Sequence, residues 1–178
     1  MTEADDLIVI ERCRRGDRRA WEELVEKYHR VVFSVAFRIL NDRSEAEEIT
    51  QAVFVKIVER LDDFDPRYKF FSWLYKISVN TTLNRRREKR GIESIPEEFQ
   101  SHDKSPHATC EESDVSEGIQ RALLELTEEY RAVVVLKHMQ GLSYEEISEI
   151  LNVPEKTVKS RLFSARSRLR SILVRNRI

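Results

Sequence analysis

Between Lys156 and Ile172 the chain sorts its residues into two opposed stripes. Val158, Leu162, Ala165, Leu169 and Ile172 recur at spacings of four and three, which on a helix forms one apolar line for a core. The opposite side carries Lys156, Ser160, Phe163 and Ser167. Lys159, Arg166 and Arg170 flank it on one edge, and Thr157, Arg161 and Arg168 on the other. Short polar side chains reach base edges in a major groove, Lys and Arg hold phosphates or guanine, and an outward Phe meets thymine methyls. A charged helix on an ordinary bundle is the plainer reading. An outward Phe among cations, behind a tight turn, is unexpected there.

The elements that must position this face are also marked. Gly141 suits the left-handed residue that ends a preceding helix, Ser143 and Glu146 form a capping box, and Leu142 can staple onto Ile147. A helix is therefore predicted from Ser143 to near Leu151. Pro154, tolerated in a helix only in its first turn, starts the next one. The whole is a helix-turn-helix, and DNA is its leading partner.

With 178 residues, four Gly and four Pro, the chain reads as all-α, in two small helical domains over 1–91 and 114–178 joined by a flexible linker over 92–113. No segment approaches the ~20 apolar residues of a membrane span, and the start, Thr2 to Asp6, is acidic where a signal peptide is basic. A soluble, intracellular protein is expected. Lys plus Arg number 31 against 32 Asp plus Glu, so only the distribution of charge informs: from Lys156 onward there are eight Lys or Arg and no acid. Cys13 follows Val9 and Ile10 at helical spacing and reads as buried; a disulfide with Cys110 is not expected. His102, His107 and Cys110 lack the paired spacing of a zinc site, so no metal or other cofactor is called.

Residues 5 to 90 read as helices without strand signals. Leu7 to Arg15 is a first helix, Asp17 caps a second through Trp21 and Leu24, and Tyr28 to Leu40 is a third. Ser44 with Glu47 reads as another capping box, opening a helix from Glu45 to Leu61. That helix buries Ile49, Val53, Ile57 and Leu61 and leaves Glu48 and Gln51 outward, with Phe54 at their border. Such a patch suits a protein partner, or is simply a solvated face.

Phe70 to Tyr75 packs four of the chain's fifteen aromatics into six residues. One helical face cannot bury them all. Lys69, Trp73, Lys76, Asn80, Asn84 and Arg87 then step by four and three toward the run Arg85 to Arg90. Aromatics beside a basic track hold unpaired bases, each stack contributing ~1 to 3 kcal/mol. A core of aromatics with a solvated, cationic helix end is the competing reading.

Together these segments resemble a group 4, extracytoplasmic-function sigma factor of bacterial RNA polymerase. Four stretches carry the resemblance: Gly16-Asp17-x-x-Ala20-Trp21-Glu22-Glu23-Leu24-Val25; Glu45-Ala46-Glu47-Glu48-Ile49-Thr50-Gln51-x-Val53-Phe54; Phe71-Ser72-Trp73-Leu74-Tyr75-Lys76-Ile77-x-x-Asn80; and the helix-turn-helix with Thr157-Val158-Lys159-Ser160-Arg161. The resemblance implies a first domain, region 2, that binds the polymerase clamp and melts the -10 element, and a second, region 4, that reads the -35 element. By position, Glu48, Gln51 and Phe54 fall on the clamp-binding helix. The loop from Asp65 to Phe70 with Trp73, Lys76, Ile77, Asn80, Asn84, Arg85 and Arg87 falls where a flipped -10 base is captured. Lys156, Thr157, Lys159, Ser160, Arg161, Phe163 and Arg166 fall on the -35 recognition helix. Implied partners are core polymerase, promoter DNA and an anti-sigma factor. The implied place is the cytoplasm, on the nucleoid when active, or at the membrane when an anti-sigma factor holds it there.

The linker agrees in composition. From Ile92 to Ser113 it carries Glu93, Glu97, Glu98, Asp103, Glu111 and Glu112 against Lys104 alone, too acidic to fold by itself. Fully extended, its 22 residues reach ~75 Å, about 20 base pairs. The resemblance implies a path toward the RNA exit channel. No Gly-rich phosphate loop, metal pair or nucleophile elbow is present, so catalysis within this chain is not expected. The alternatives are a conventional helix-turn-helix regulator, which would bind a palindrome as a dimer, and a domain that only binds a partner protein.

Overall fold

A computed structural model describes residues 3–92 and 110–176; it is all-α, with no strand among the described residues. The first half comprises α1 (Glu3–Arg14), α2 (Arg18–Leu40), α3 (Arg43–Arg60), a short turn of 3-10 helix (Leu61–Asp63) and α4 (Phe70–Ile92). The second half comprises α5 (Cys110–Leu124), α6 (Glu128–Val134), a π-turn (Val135–Met139), α7 (Tyr144–Leu151) and α8 (Glu155–Arg175). Most of the expected acidic tether, with His102 and His107, lies outside the described residues. Its last residues, from Cys110, already belong to α5.

Two expectations are corrected. The second and third predicted helices are one. Asp17 caps α2, its Oδ1 accepting from Arg19 N at 2.9 Å and Ala20 N at 3.4 Å. A single buried line of Ala20, Leu24, Tyr28, Val32, Val35, Ala36 and Ile39 then runs to the end. Its spacings of three and four never break, and the intervening charges are only the outer face. Asn41, at φ 58°, closes the helix with its N–H on Phe37 O at 2.7 Å. The second correction concerns α3, which starts earlier than the predicted Ser44–Glu47 box. Asp42 has the extended backbone of an N-cap and accepts from Glu45 N at 2.9 Å, so Ser44 falls inside the first turn.

The first core gathers Val9, Ile10 and Cys13 of α1, the apolar line of α2, Ile49, Val53 and Ile57 of α3, and Phe64, Phe70 and Leu74. Cys13 is buried as expected, and burial pushes its thiol up to about 11, the mark of a packing residue rather than a reactive one. At the bottom of this core Asp6 receives Tyr28 Oη at 2.6 Å and pairs with Lys27.

The second half packs on the apolar stripe of α8: Val158, Leu162, Ala165 and Ile172 are buried and Leu169 is partly so. One charged residue sits at its centre. Arg131 is 1% exposed and donates to the carbonyls of Leu123 at 2.8 Å, Leu124 at 2.8 Å, Leu126 at 3.1 Å and Ile39. The oxygens of Leu123, Leu124 and Ile39 end α5 and α2, where the helix dipole favours a cation, and that of Leu126 lies in the turn before α6. The halves touch each other. α4 packs on α7, α2 meets the π-turn, and Val35, Ile39, Tyr75 and Val79 of the first half share one buried cluster with Leu136, Leu142, Ile147 and Ile150 of the second.

Candidate nucleic-acid interface

The helix-turn-helix forms with the caps that were expected. Gly141 takes φ 71°, a conformation costly for any residue with a Cβ. Ser143 Oγ accepts from Glu146 N at 3.1 Å while Ser143 N donates to Glu146 Oε2 at 2.8 Å. The hydrogen bond from Ser143 N, opposed by partial burial and aided by Lys69 and Lys137, holds the Glu146 carboxyl below its ordinary range. Asn152 at φ 50° ends α7, and α8 begins after Pro154.

On α8 the outward side is open. Lys156, Lys159, Ser160, Phe163, Arg166 and Ser167 are exposed, Phe163 by 77%, whereas Thr157 and Arg161 are half-buried at the edge. Several cations are already oriented by neighbours. Lys159 Nζ lies 2.5 Å from Glu155 Oε1 and 5.3 Å from the Tyr144 ring centroid, with Lys137 Nζ at 4.8 Å from the same ring. Arg161 pairs with Glu129 at 3.0 Å. Arg166 Nε donates to His138 Nε2 at 3.1 Å. Burial, then the cations Arg166 and Lys137, hold His138 below its ordinary value, consistent with a neutral imidazole acting as acceptor.

The second face lies on α4 and the loop before it. Lys76, Asn80, Asn84 and Arg87 are exposed along one line, with Trp73, Ile77 and Arg85 half-buried beside it. Asp65 folds the loop: its carboxylate accepts from Arg67 N at 3.0 Å and binds the Arg67 guanidinium, which lowers the Asp65 pKa. Tyr68 stands out of that loop, 62% exposed. A cavity of about 480 Å³ opens between them, lined by Asp65, Tyr68, Trp73 and Lys76, and bounded on its far side by Glu149 and Asn152 of the second half. Phe70 is the exception among the expected contacts. It is 3% exposed and clasped by Tyr28, Phe64 and Trp73 at centroid distances of 5.4 to 5.7 Å. Edge and tilted ring contacts of this kind make it the floor of the loop rather than part of its surface.

Two family models match this chain: Sigma-70 region 2 over residues 24–92 and Sigma-70, region 4 over residues 116–169. The ECF RNA polymerase sigma factor SigW of Bacillus subtilis (strain 168) is 34% identical, covering 92% of this chain and 94% of its own. The ECF RNA polymerase sigma-E factor of Escherichia coli (strain K12) is 32% identical over 90% of each. The chain is an extracytoplasmic-function sigma factor of the sigma-70 family. Among solved structures, CnrH in complex with the cytosolic domain of CnrY aligns at TM-score 0.69 and 25% identity over 94% of this sigma factor and 96% of CnrH. The sigma factor RpoE of Bartonella quintana, in complex with the anti-sigma factor NepR, shares the fold at TM-score 0.70 and 21% identity, covering 85% of this chain and 95% of its own.

The third expected surface of this sigma factor is on α3. Glu48 and Gln51 are exposed and Phe54 is half-buried against the core, and Val55 and Val58 continue the face at 55% and 57% exposure. Glu48 Oε2 also receives Arg85 Nη2 at 2.6 Å, so one ion pair joins the α3 patch to the basic end of α4. Two neighbours of the expected residues were not singled out by sequence, and a third, Tyr68, was included only as part of the loop from Asp65 to Phe70. Tyr68 was readable as an aromatic in a loop beside Asp65-Pro66-Arg67. Tyr144 and His138, which orient cations of α8, carry no such signal. No helix among the described residues is long and apolar enough to cross a membrane.

Proposed function

We propose that this sigma factor binds bacterial core RNA polymerase through the α3 face around Glu48, Gln51 and Phe54. On that reading it reads duplex -35 DNA with the outward side of α8 and holds the melted -10 strand along α4. The observation that carries this is the presence of two unlike cationic faces on separate elements. One is a rigid, cation-edged helix with an exposed Phe163, suited to a groove; the other is a stripe of Trp73, Lys76, Asn80 and Asn84 beside a cavity, suited to an unpaired base. A conventional dimeric regulator needs only the first. Lys156, Lys159, Arg161 and Arg166 supply phosphate or guanine contacts, Thr157 and Ser160 short polar ones, and Arg85 and Arg87 the electrostatic rail for the strand. Each module alone buries little surface, and polymerase raises their effective concentration on one promoter. The chain itself performs no chemistry and needs no cofactor. The RpoE structure that shares this fold holds an anti-sigma factor, and CnrH holds the cytosolic domain of a partner, CnrY; an anti-sigma partner controls this protein too, and it works in the cytoplasm unless that partner tethers it.

The two faces are separable by mutation. Lys159→Ala is expected to weaken -35-dependent initiation and to lower the slope of log affinity against log salt by about 0.9. Asn80→Ala is expected to leave duplex affinity unchanged and to reduce permanganate-detected opening of the -10 segment. Loss of duplex binding by Asn80→Ala would contradict the assignment.

A further inference from the structure

The loop that leads into α4 carries part of the surface assigned above to the unpaired strand, and its internal bonds are local. Phe64 N donates to Leu61 O at 3.1 Å, Tyr68 N donates to Asp65 O at 3.0 Å, and Asp65 binds Arg67. Such bonds shape each turn. They do not set the angle of the loop to the helices beside it. A tie of that kind comes from Arg14, the last residue of α1. Its Nη2 donates to Leu61 O at 3.1 Å and to Phe64 O at 2.7 Å, 47 and 50 positions away. Hydrogen bonds from a guanidinium are charge-assisted and stronger than those between neutral groups. Glu11, one turn back, takes Nη1 at 2.7 Å, Asp62 Oδ1 lies 3.8 Å from Nε, and the Arg14 side chain is 21% exposed. The guanidinium is thereby held with one nitrogen on the loop backbone.

Phe64 is gripped from two sides. Its carbonyl is on Arg14, and its ring, 2% exposed, lies 5.4 Å from the Phe70 ring and 5.6 Å from the Trp73 ring between centroids. α1 also supports Phe70, since Asp6 receives Tyr28 Oη and the Tyr28 ring packs on Phe70 at 5.5 Å. Just past Phe64 come Asp65 and Tyr68, which line the cavity with Trp73 and Lys76; Arg14 does not line it. We propose that Arg14 is a positioning residue for strand capture: by holding the carbonyls of Leu61 and Phe64 it fixes where Tyr68 stands relative to Trp73, and so sets which base the cavity accepts. The proposal rests on the -10 assignment made above. In a well-oriented site a displacement of ~1 Å is enough to cost a large factor. A loop released from α1 keeps its neighbouring cations, so attraction for phosphates survives while discrimination among bases falls.

The test uses the full chain assembled with bacterial core RNA polymerase and a fork-shaped DNA pool, duplex upstream and single-stranded with random sequence over the -10 segment. Retained strands are quantified and sequenced for the wild type, Arg14→Met, Arg14→Lys and Asn80→Ala. Arg14→Met keeps an apolar stem and removes every donor. It is expected to bind core and to retain the pool as a whole like the wild type. The ratio of favoured to disfavoured base at the most selective position is expected to fall by at least about fivefold. Arg14→Lys, a point donor, is expected to keep part of that ratio. A purely structural role would weaken all strands alike and leave the base ratios in place, and that outcome would overturn the proposal. If Arg14→Met does not fold, Arg14→Lys decides: a fall of roughly twofold or more supports the proposal, and an unchanged ratio overturns it. Retention and base ratios left intact by Asn80→Ala would count against the -10 assignment itself, and the role of Arg14 would fall with it.

Discussion

The side chains that would touch DNA are held by neighbours that sequence patterning does not single out. Lys159 is set between Glu155 and the Tyr144 ring, and the exposed Arg166 is anchored through its Nε on His138. That last contact has a pH consequence. The folded state disfavours protonated His138, so the contribution of its neutral form is complete above the ordinary value of 6.5 and is lost as pH falls below it. Titration of the His138 ring protons by NMR is expected to give a midpoint below 6.5, and a midpoint above it would remove the imidazole acceptor from the account. The outward residues of α8 were readable because a helix leaves no other place for them. His138 was not, because a contact across 28 positions has no local period. Phe70 was misread for a related reason: Phe70, Phe71, Trp73 and Tyr75 look alike in a row, and only the packing of Tyr28 and Phe64 decides which one goes inside.

Among the elements, those with strong punctuation were legible to the residue. α7 starts where Gly141 and the Ser143–Glu146 box require and ends near Leu151 as expected, and α8 starts at Pro154, since each mark satisfies a specific backbone demand. Ser143→Ala is expected to cost about 1 kcal/mol in urea unfolding; no measurable change would mean the cap is redundant. The α2 split was an error, because the inner line runs unbroken from Ala20 to Ile39. Arg131 was missed because a lone Arg is read as surface unless the structure shows what pairs with it. It satisfies four carbonyls, so Arg131→Ala leaves several buried acceptors unmatched. A loss of at least about 3 kcal/mol is expected, and Arg131→Lys, a single point donor, should not restore it. A cost under about 1 kcal/mol would show that the site relaxes or admits water.

For the molecule as a whole, two helical domains and an acidic connection followed from composition and spacing alone, and the matched regions 2 and 4 agree with that division. The contact between them did not. Tyr75 and Gln140 are 65 positions apart, and Arg131 and Ile39 are 92, so each residue on its own reads as ordinary core or surface. The most direct test mixes the purified chain with bacterial core RNA polymerase, asks for co-elution, and then for run-off transcription from a promoter fragment that core alone ignores. Co-elution together with specific run-off product is the predicted result. Failure to bind core, with tight dimeric binding to a palindromic duplex, would contradict the account and return the chain to the conventional helix-turn-helix regulators.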